Sequence, residues 1–222
     1  MKENHILIGL GGTGGKVLKA FRKRLFQEYN DDERAKLPIA FLYVDSSIEE
    51  MMPGDKTWYV LGKNAQFSAS EFVNVKGVDI QAILANPKGY PGLKGLIGDG
   101  EVMAKTIGEV GAAAAQKRRA GRILFGSSVE KYKSALLGAY KRVSSITNAE
   151  RTNIYIFTGL AGGTGSGSII DVIAQTRLLP EFKDPLSMDG KTGTSIVVNA
   201  MVPEITPPGR SDAGRYHANC YA

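Results

Sequence analysis

Hydrophobic residues along this 222-residue chain follow two alternating patterns. Apolar-rich runs at His5-Ile6-Leu7-Ile8, Ile39–Val44, Asn153–Thr158 and Ser195–Val202 have the length of strands, and the unbroken run Ile39–Val44 reads as a strand buried on both faces. Between them, apolar residues recur every three or four positions. Val17, Leu18, Phe21, Leu25 and Phe26, opposite Lys19, Arg22, Lys23 and Arg24, predict an amphipathic helix from Lys16 to about Tyr29, ended by Asn30-Asp31-Asp32. A second helical stretch runs from Gly111 through Ile123, Val129, Tyr132, Leu136, Leu137 and Tyr140 to about Ser145, with a break near Gly121, and a third covers Ser168–Leu179. Trp58–Leu61 reads as a short strand, Asp79–Leu84 as a short helix, Pro87–Gly100 as a glycine-rich loop, and Asp212 onward as the start of a further helix.

Strands alternating with helices predict an α/β chain: a doubly wound, mostly parallel sheet joined by right-handed crossovers. Ligands of such folds bind at the carboxyl ends of the strands. Glycine and polar residues gather at that edge, at Gly9–Gly15, Asp45, Gly159–Gly167 and Pro203–Arg210. The chain stops in what reads as mid-helix at Ala218–Ala222, so the expectation is the amino-terminal part of a larger protein.

Composition narrows the classes. With 43% hydrophobic and 23% charged residues the chain has ordinary globular content, and no apolar run approaches the roughly 20 residues of a membrane span. Cys220 is the only cysteine and His5 and His217 the only histidines, which excludes an intrachain disulfide, a cysteine metal cluster and a His-rich metal site, and fits the cytoplasm. The net charge of +6 reads either as a surface for polyanions or as lysines and arginines scattered over solvated helix faces; it does not by itself predict nucleic-acid binding. No Ser-His-Asp, Cys-His or paired-carboxylate arrangement stands out. Glycine is the unusual residue, 27 in all, and it clusters next to strands and helices.

Two of those clusters have chemistry. Gly9-x-Gly11-x-x-Gly14 follows a strand and opens a helix, the context for a phosphate on a helix N-terminus or for a dinucleotide fingerprint. Gly14-Gly15-Lys16 fails as a P-loop, since Val17 stands where a hydroxyl would bind magnesium. Gly159-Leu160-Ala161-Gly162-Gly163-Thr164-Gly165-Ser166-Gly167 repeats the strand-to-helix context, with hydroxyls at Thr164 and Ser166 to add to the backbone donors. A nest of that kind suits two or three phosphates.

Two phosphate loops in one sheet, the later carrying Gly162–Gly167, resemble the tubulin/FtsZ superfamily and its signature G-G-G-T-G-[ST]-G, with Ala161 in place of the first glycine. Gly9, Gly11, Gly12, Thr13 and Gly14 resemble that family's first nucleotide loop, Val44-Asp45-Ser46 its second, and Pro203, Glu204 and Arg210 its ribose loop. The likeness covers most of the chain in the right order, nearest to divergent bacterial tubulin-like proteins. It implies a GTP/GDP site with Mg2+ near Asp45, a γ-phosphate-sensing segment at Gly111 and Ala112, and Arg119 or Arg122 reaching the phosphates. It also implies head-to-tail assembly into filaments, with catalytic acids supplied by the next protomer from a segment beyond residue 222. Asp45 has an alternative as a helix N-cap for Ser46–Met51, and Arg119 and Arg122 as a solvated basic face. Glu204 and Arg210 have one as a surface ion pair, since Thr206 stands where the family has an acid. Asn219 could reach the sugar or base, or lie on a plain helix surface. The competing function is a Rossmann-type NAD(P)-binding oxidoreductase domain using Gly9–Gly14 alone; a third reading is a non-polymerising, nucleotide-gated scaffold.

Overall fold

A computed structural model describes residues 3–76, 79–90, 93–107, 114, 116–202 and 220. In chain order the elements are β1 (Asn4–Leu10), α1 (Gly11–Glu28), α2 (Asp31–Ala35), β2 (Ile39–Asp45), β3 (Tyr59–Val60), β4 (Lys63–Asn64), β5 (Phe72–Asn74) and α3 (Ile80–Ala85). They continue with α4 (Lys94–Ile97), α5 (Gly100–Ile107), α6 (Arg118–Gly126), α7 (Val129–Thr147), β6 (Arg151–Gly159), α8 (Thr164–Arg177) and β7 (Gly193–Met201).

Five strands form one sheet in the order β5-β2-β1-β6-β7, every neighbouring pair parallel. The central strand β1 pairs with β2 from His5↔Ile39 to Leu10↔Val44 and with β6 from Asn4↔Thr152 to Leu10↔Thr158. The sheet is thus doubly wound and parallel, as the alternating pattern predicts. Its strand order reverses between β1 and β6, and a topological switch point lies at their carboxyl ends.

Burial on both faces explains the apolar runs of β1, β2 and β6, whereas β7, at the sheet edge, leaves Val197 and Val198 41% and 39% exposed. Ile6, Ile8 and Leu10 of β1 are fully buried and pack with Leu42, Ile154 and Ile156, beneath Ile123 and Leu124 of α6, Tyr132 and Leu136 of α7, and Val172 of α8. On the other face Leu7, Phe41 and Tyr43 meet Leu18 of α1 and the aromatic pair Trp58 and Phe67. Each fully buried aliphatic side chain contributes about 1.5–3 kcal/mol, so β1, enclosed on both sides, anchors the residue that follows it.

The elements depart from the sequence expectation in instructive ways. α1 and α8 begin at Gly11 and Thr164, several residues before the predicted starts, so Gly11, Gly12, Gly14 and Gly15 of the first cluster and Gly165 and Gly167 of the second lie within helices. The predicted break at Gly121 lies instead at Ser127–Ser128; Gly121 is buried inside α6. Asn30 caps rather than breaks: with Glu33 it forms a capping box that starts α2. Trp58 closes a short 3-10 turn, Lys56–Trp58, before the two-residue strand β3, and the predicted loop Pro87–Gly100 contains α4. The helix expected from Asp212 lies outside the described residues. Among the described residues, no helix is long and apolar enough to cross a membrane.

Candidate functional site

Helix α1 starts at the first residue after β1. Gly11 makes that possible with φ of 65°, a left-handed backbone conformation natural to glycine. The cap residue Leu10 offers no side-chain bond, and the first turn of α1 contains no acid. Helix α8 repeats the arrangement after β6, with Gly163 at its cap, no side-chain cap bond and no acid in its first turn. Each first turn therefore presents N–H groups that lack intrahelical partners, at the positive end of a helix dipole. The two turns touch, since a Cβ on Gly11 would stand 3.0 Å from the Gly165 nitrogen.

Both turns open on one cleft of about 580 Å3, lined by Gly11, Gly12 and Thr13 of α1, by Ala161–Gly165 around the start of α8, and by Asp45, Ser46 and Ser47 after β2. Lys16, Glu49, Glu50, Ala114, Gln116, Met201 and Val202 complete the described lining with Leu10 and Gly159.

The floor of the cleft is a buried hydrogen-bond network. Asp45 accepts from the Tyr43 hydroxyl at 2.7 Å and from the Ser46 N–H at 2.7 Å. Ser46 Oγ lies 2.8 Å from Thr164 Oγ1 and accepts from the Ala114 N–H at 3.2 Å. Burial pushes the Asp45 carboxyl above the ordinary carboxylate range, against hydrogen bonds from Tyr43, Ser46, Ser47 and Thr164 that favour its ionised form. Burial and the neighbouring Asp45 push the Tyr43 phenol strongly upward, which keeps it a donor. Asp45 does not cap a helix: the short 3-10 turn Glu49–Met51 has Ile48 at its cap.

The structure thus brings together Gly11, Gly12, Thr13, Asp45, Ala161, Gly162, Gly163, Thr164 and Gly165. Gly9, Gly14 and Gly167 are outside the lining and serve packing; a Cβ on Gly14 would stand 2.3 Å from the Phe157 carbonyl, and one on Gly167 2.2 Å from that of Arg118. Ser166 turns its hydroxyl back to the Gly162 carbonyl. Arg122 is not at the cleft, because Asp171 of α8 holds its guanidinium through bonds of 2.7 and 3.0 Å. Arg119 is solvent-exposed and outside the lining as well. Gly111, Ala112, Pro203, Glu204, Arg210 and Asn219 lie outside the described residues. Ser46 enters the lining from the Val44-Asp45-Ser46 loop, and Lys16, Ser47, Glu49, Glu50 and Gln116 join it without having been candidates from the sequence. Lys16 had a signal, its place directly after the glycines, but it was tested only against a P-loop pattern; the others follow no pattern a single sequence displays.

Charge at the site limits what it can hold. Among the described lining residues Lys16 is the only cation, against Asp45, Glu49 and Glu50. A polyphosphate therefore relies on the helix ends and on an accompanying cation. No group of three or more His, Cys, Asp or Glu side chains assembles a metal site of its own among the described residues. Mg2+, which commonly binds through one or two carboxylates together with substrate phosphates and water, fits a cleft with the single buried carboxylate of Asp45 in its floor.

Comparison with known proteins adds a family. The model of the family described as "Tubulin like" matches residues 6–222. Two solved structures from Haloferax volcanii are similar over 98% of this chain: CetZ2 as a GTPγS-bound protofilament, with TM-score 0.48 and 18% identity, and CetZ1 as a GDP-bound monomer, with TM-score 0.45 and 19% identity. The chain covers 43% and 45% of those two proteins, less than half of either. No curated protein matches.

Proposed function

The chain belongs to the tubulin-like family, and on that premise we propose that it is a GTP-binding domain whose switch-point cleft takes the nucleotide's phosphates together with Mg2+. One observation carries the reading: two uncapped helix N-termini, Gly11–Thr13 and Gly163–Gly165, open on the same cleft, which the buried carboxylate of Asp45 also lines. A single N-terminus suits one anionic group; two that touch suit a chain of phosphates. The N–H groups of Gly12 and Thr13 and those at the start of α8 would hold phosphate oxygens, with Lys16 at the mouth. Asp45 would hold the cation, directly or through water, and Mg2+ when bound would neutralise phosphate charge.

An NAD(P)-binding dehydrogenase would use only the first turn, so the second is against it, as is the family. Hydrolysis and head-to-tail filament formation are the further parts of the proposal. A phosphoryl transfer also needs a positioned water in line with the leaving group, and no catalytic acid is assigned to this chain. Residues from the next protomer would supply that function, in the cytoplasm, which the single cysteine suits.

Equilibrium binding of GTP, ATP and NAD+ in Mg2+, followed by sedimentation of the full protein, tests this. GTP binding displaced by GDP is the expected result, with pelleting on addition of GTP. NAD+ binding in the absence of GTP binding would overturn the nucleotide assignment, and GTP binding with no assembly would replace the filament by a nucleotide-gated scaffold.

A further inference from the structure

Three segments far apart in sequence meet at one hydroxyl. Ser46 follows β2, Thr164 opens α8 and Ala114 precedes α6, yet Ser46 Oγ contacts the other two at 2.8 and 3.2 Å. All three residues line the cleft, and Ser46 and Thr164 are 3% and 6% exposed. The Ala114 N–H can only donate, so Ser46 Oγ accepts from it. Between the Ser46 and Thr164 hydroxyls either oxygen can donate, so Ser46 Oγ joins both segments whichever proton is shared.

The segment held at the far end is a turn under strain. Lys117 N–H bonds the Ala114 carbonyl at 2.8 Å, closing Ala114–Lys117, and Gln116 within it has φ of 61°. That position of a turn favours glycine, and a side-chain-bearing residue stays there only when its surroundings hold it. Two contacts do so. The Ser46 hydroxyl fixes one end, and the turn presses on the start of α8, where a Cβ on Gly163 would stand 2.8 Å from Ala114 Cβ and 3.0 Å from the Gln116 nitrogen. Gln116 itself lines the cleft.

We propose that Ser46 is a positioning residue whose hydroxyl clasps the Ala114–Lys117 turn against the N-terminus of α8, coupling occupancy of the cleft to the entry of α6. The coupling to a ligand rests on the nucleotide reading above; the clasp itself does not. Breaking it leaves the Ala114 N–H without its acceptor and frees a turn that has a backbone conformation to relax.

Amide hydrogen exchange by NMR on the wild type, Ser46→Ala and Ser46→Thr separates these layers. Without ligand, Ser46→Ala is expected to speed exchange at Ala114 and Lys117 about tenfold, the loss of one hydrogen bond, with β1 and β6 unchanged, and Ser46→Thr to restore it. Should the added methyl of Ser46→Thr prevent folding, Thr164→Ser against Thr164→Val provides the same contrast at the partner hydroxyl. Saturating Mg–GTP is expected to slow the Ala114 amide in the wild type and not in Ser46→Ala. Unchanged exchange at Ala114 in Ser46→Ala, an Ala114 amide already unprotected in the wild type, or acceleration spread equally over β1 and β6 would each overturn the clasp. Equal protection by Mg–GTP in both proteins would overturn the coupling while the nucleotide reading stands. Absence of any GTP binding to the wild type would defeat that reading and the coupling with it, and the ligand-free comparison would still decide the clasp.

Discussion

The two glycine-rich turns look alike in sequence and do different work. In the turn after β1, Gly12 has nothing within 4 Å of a hypothetical Cβ, Gly12 and Thr13 are exposed, and Lys16 stands at the mouth of the cleft. In the turn after β6, the glycines are mostly used up by neighbours. Gly163 is pressed by Ala114 and Gln116, Gly165 by Thr158 and Leu10, and Gly167 by Arg118 and Arg122. Its hydroxyls are occupied too, Thr164 with Ser46 and Ser166 with Gly162. Both turns face the cleft, but the second is also the joint where α6, α8 and β1 come together. A glycine signature can therefore be specific because of what it packs against as much as because of what it binds.

Substitutions that fill each kind of glycine break this contrast most directly. Gly167→Ala drives a methyl into the Arg118 carbonyl, 2.2 Å away, and is expected to cost roughly 3 kcal/mol or more. For a chain of this length that is a fall of about 6–12 °C in thermal unfolding. An unchanged melting temperature would mean that α6 and α8 separate easily and that the joint is not tight.

Asp45→Asn has a smaller effect whose sign depends on pH. Burial raises the Asp45 carboxyl above its ordinary 3.8, so the native state favours the protonated acid. Its contribution is fully present below that value and is lost as pH rises through the native-state value. The stability of Asp45→Asn relative to the wild type is therefore expected to improve as pH rises above 3.8 and through the raised native-state value, read by denaturant unfolding at several pH values. In the same variant GTP binding should lose its dependence on Mg2+. A pH-independent difference would place the carboxyl in a wetter setting than the cleft floor.

The smallest effect is expected at the joint's outer rim. Arg122→Ala removes an ion pair to Asp171 in which the arginine side chain is 44% exposed, so the loss should stay below about 1 kcal/mol. GTP affinity should not change. A large loss of affinity would return Arg122 to the phosphates, where sequence resemblance had it.

Much of this was legible in the sequence. Ile39–Val44 read as a buried strand because both sheet faces are covered, Asn153–Thr158 read as a strand by its length, and the glycines after β1 and β6 identified the edge where the cleft lies. Helix starts were misjudged because glycine is a poor helix former, whereas here Gly12, Gly14 and Gly15 are needed for close approach or access, and the helix runs through them. Gly121 read as a break for the same reason; within α6 it lies against Gly163, whose carbonyl would be 2.1 Å from an added Cβ. Strand β5 spans only Phe72–Asn74, too short to show alternation. Arg122 was assigned to the phosphates because the partner that claims it, Asp171, is 49 residues away. The sequence places Ser46 in the second loop but not its contacts, since its partners are 68 and 118 residues distant and a hydroxyl in a loop has no pattern of its own.

The most direct measurement is the shift in melting temperature produced by Mg–GTP in the wild type and in Gly12→Asp. The substitution meets open space at the first turn of α1, where a carboxylate suits the helix end, so the ligand-free protein should melt at or slightly above the wild-type temperature. At a hundredfold excess over Kd, GTP should stabilise the wild type by about 2.7 kcal/mol, and Gly12→Asp should show no shift, its carboxylate repelling the phosphates at the helix end. A full shift in Gly12→Asp would contradict the assignment of the first turn to the ligand.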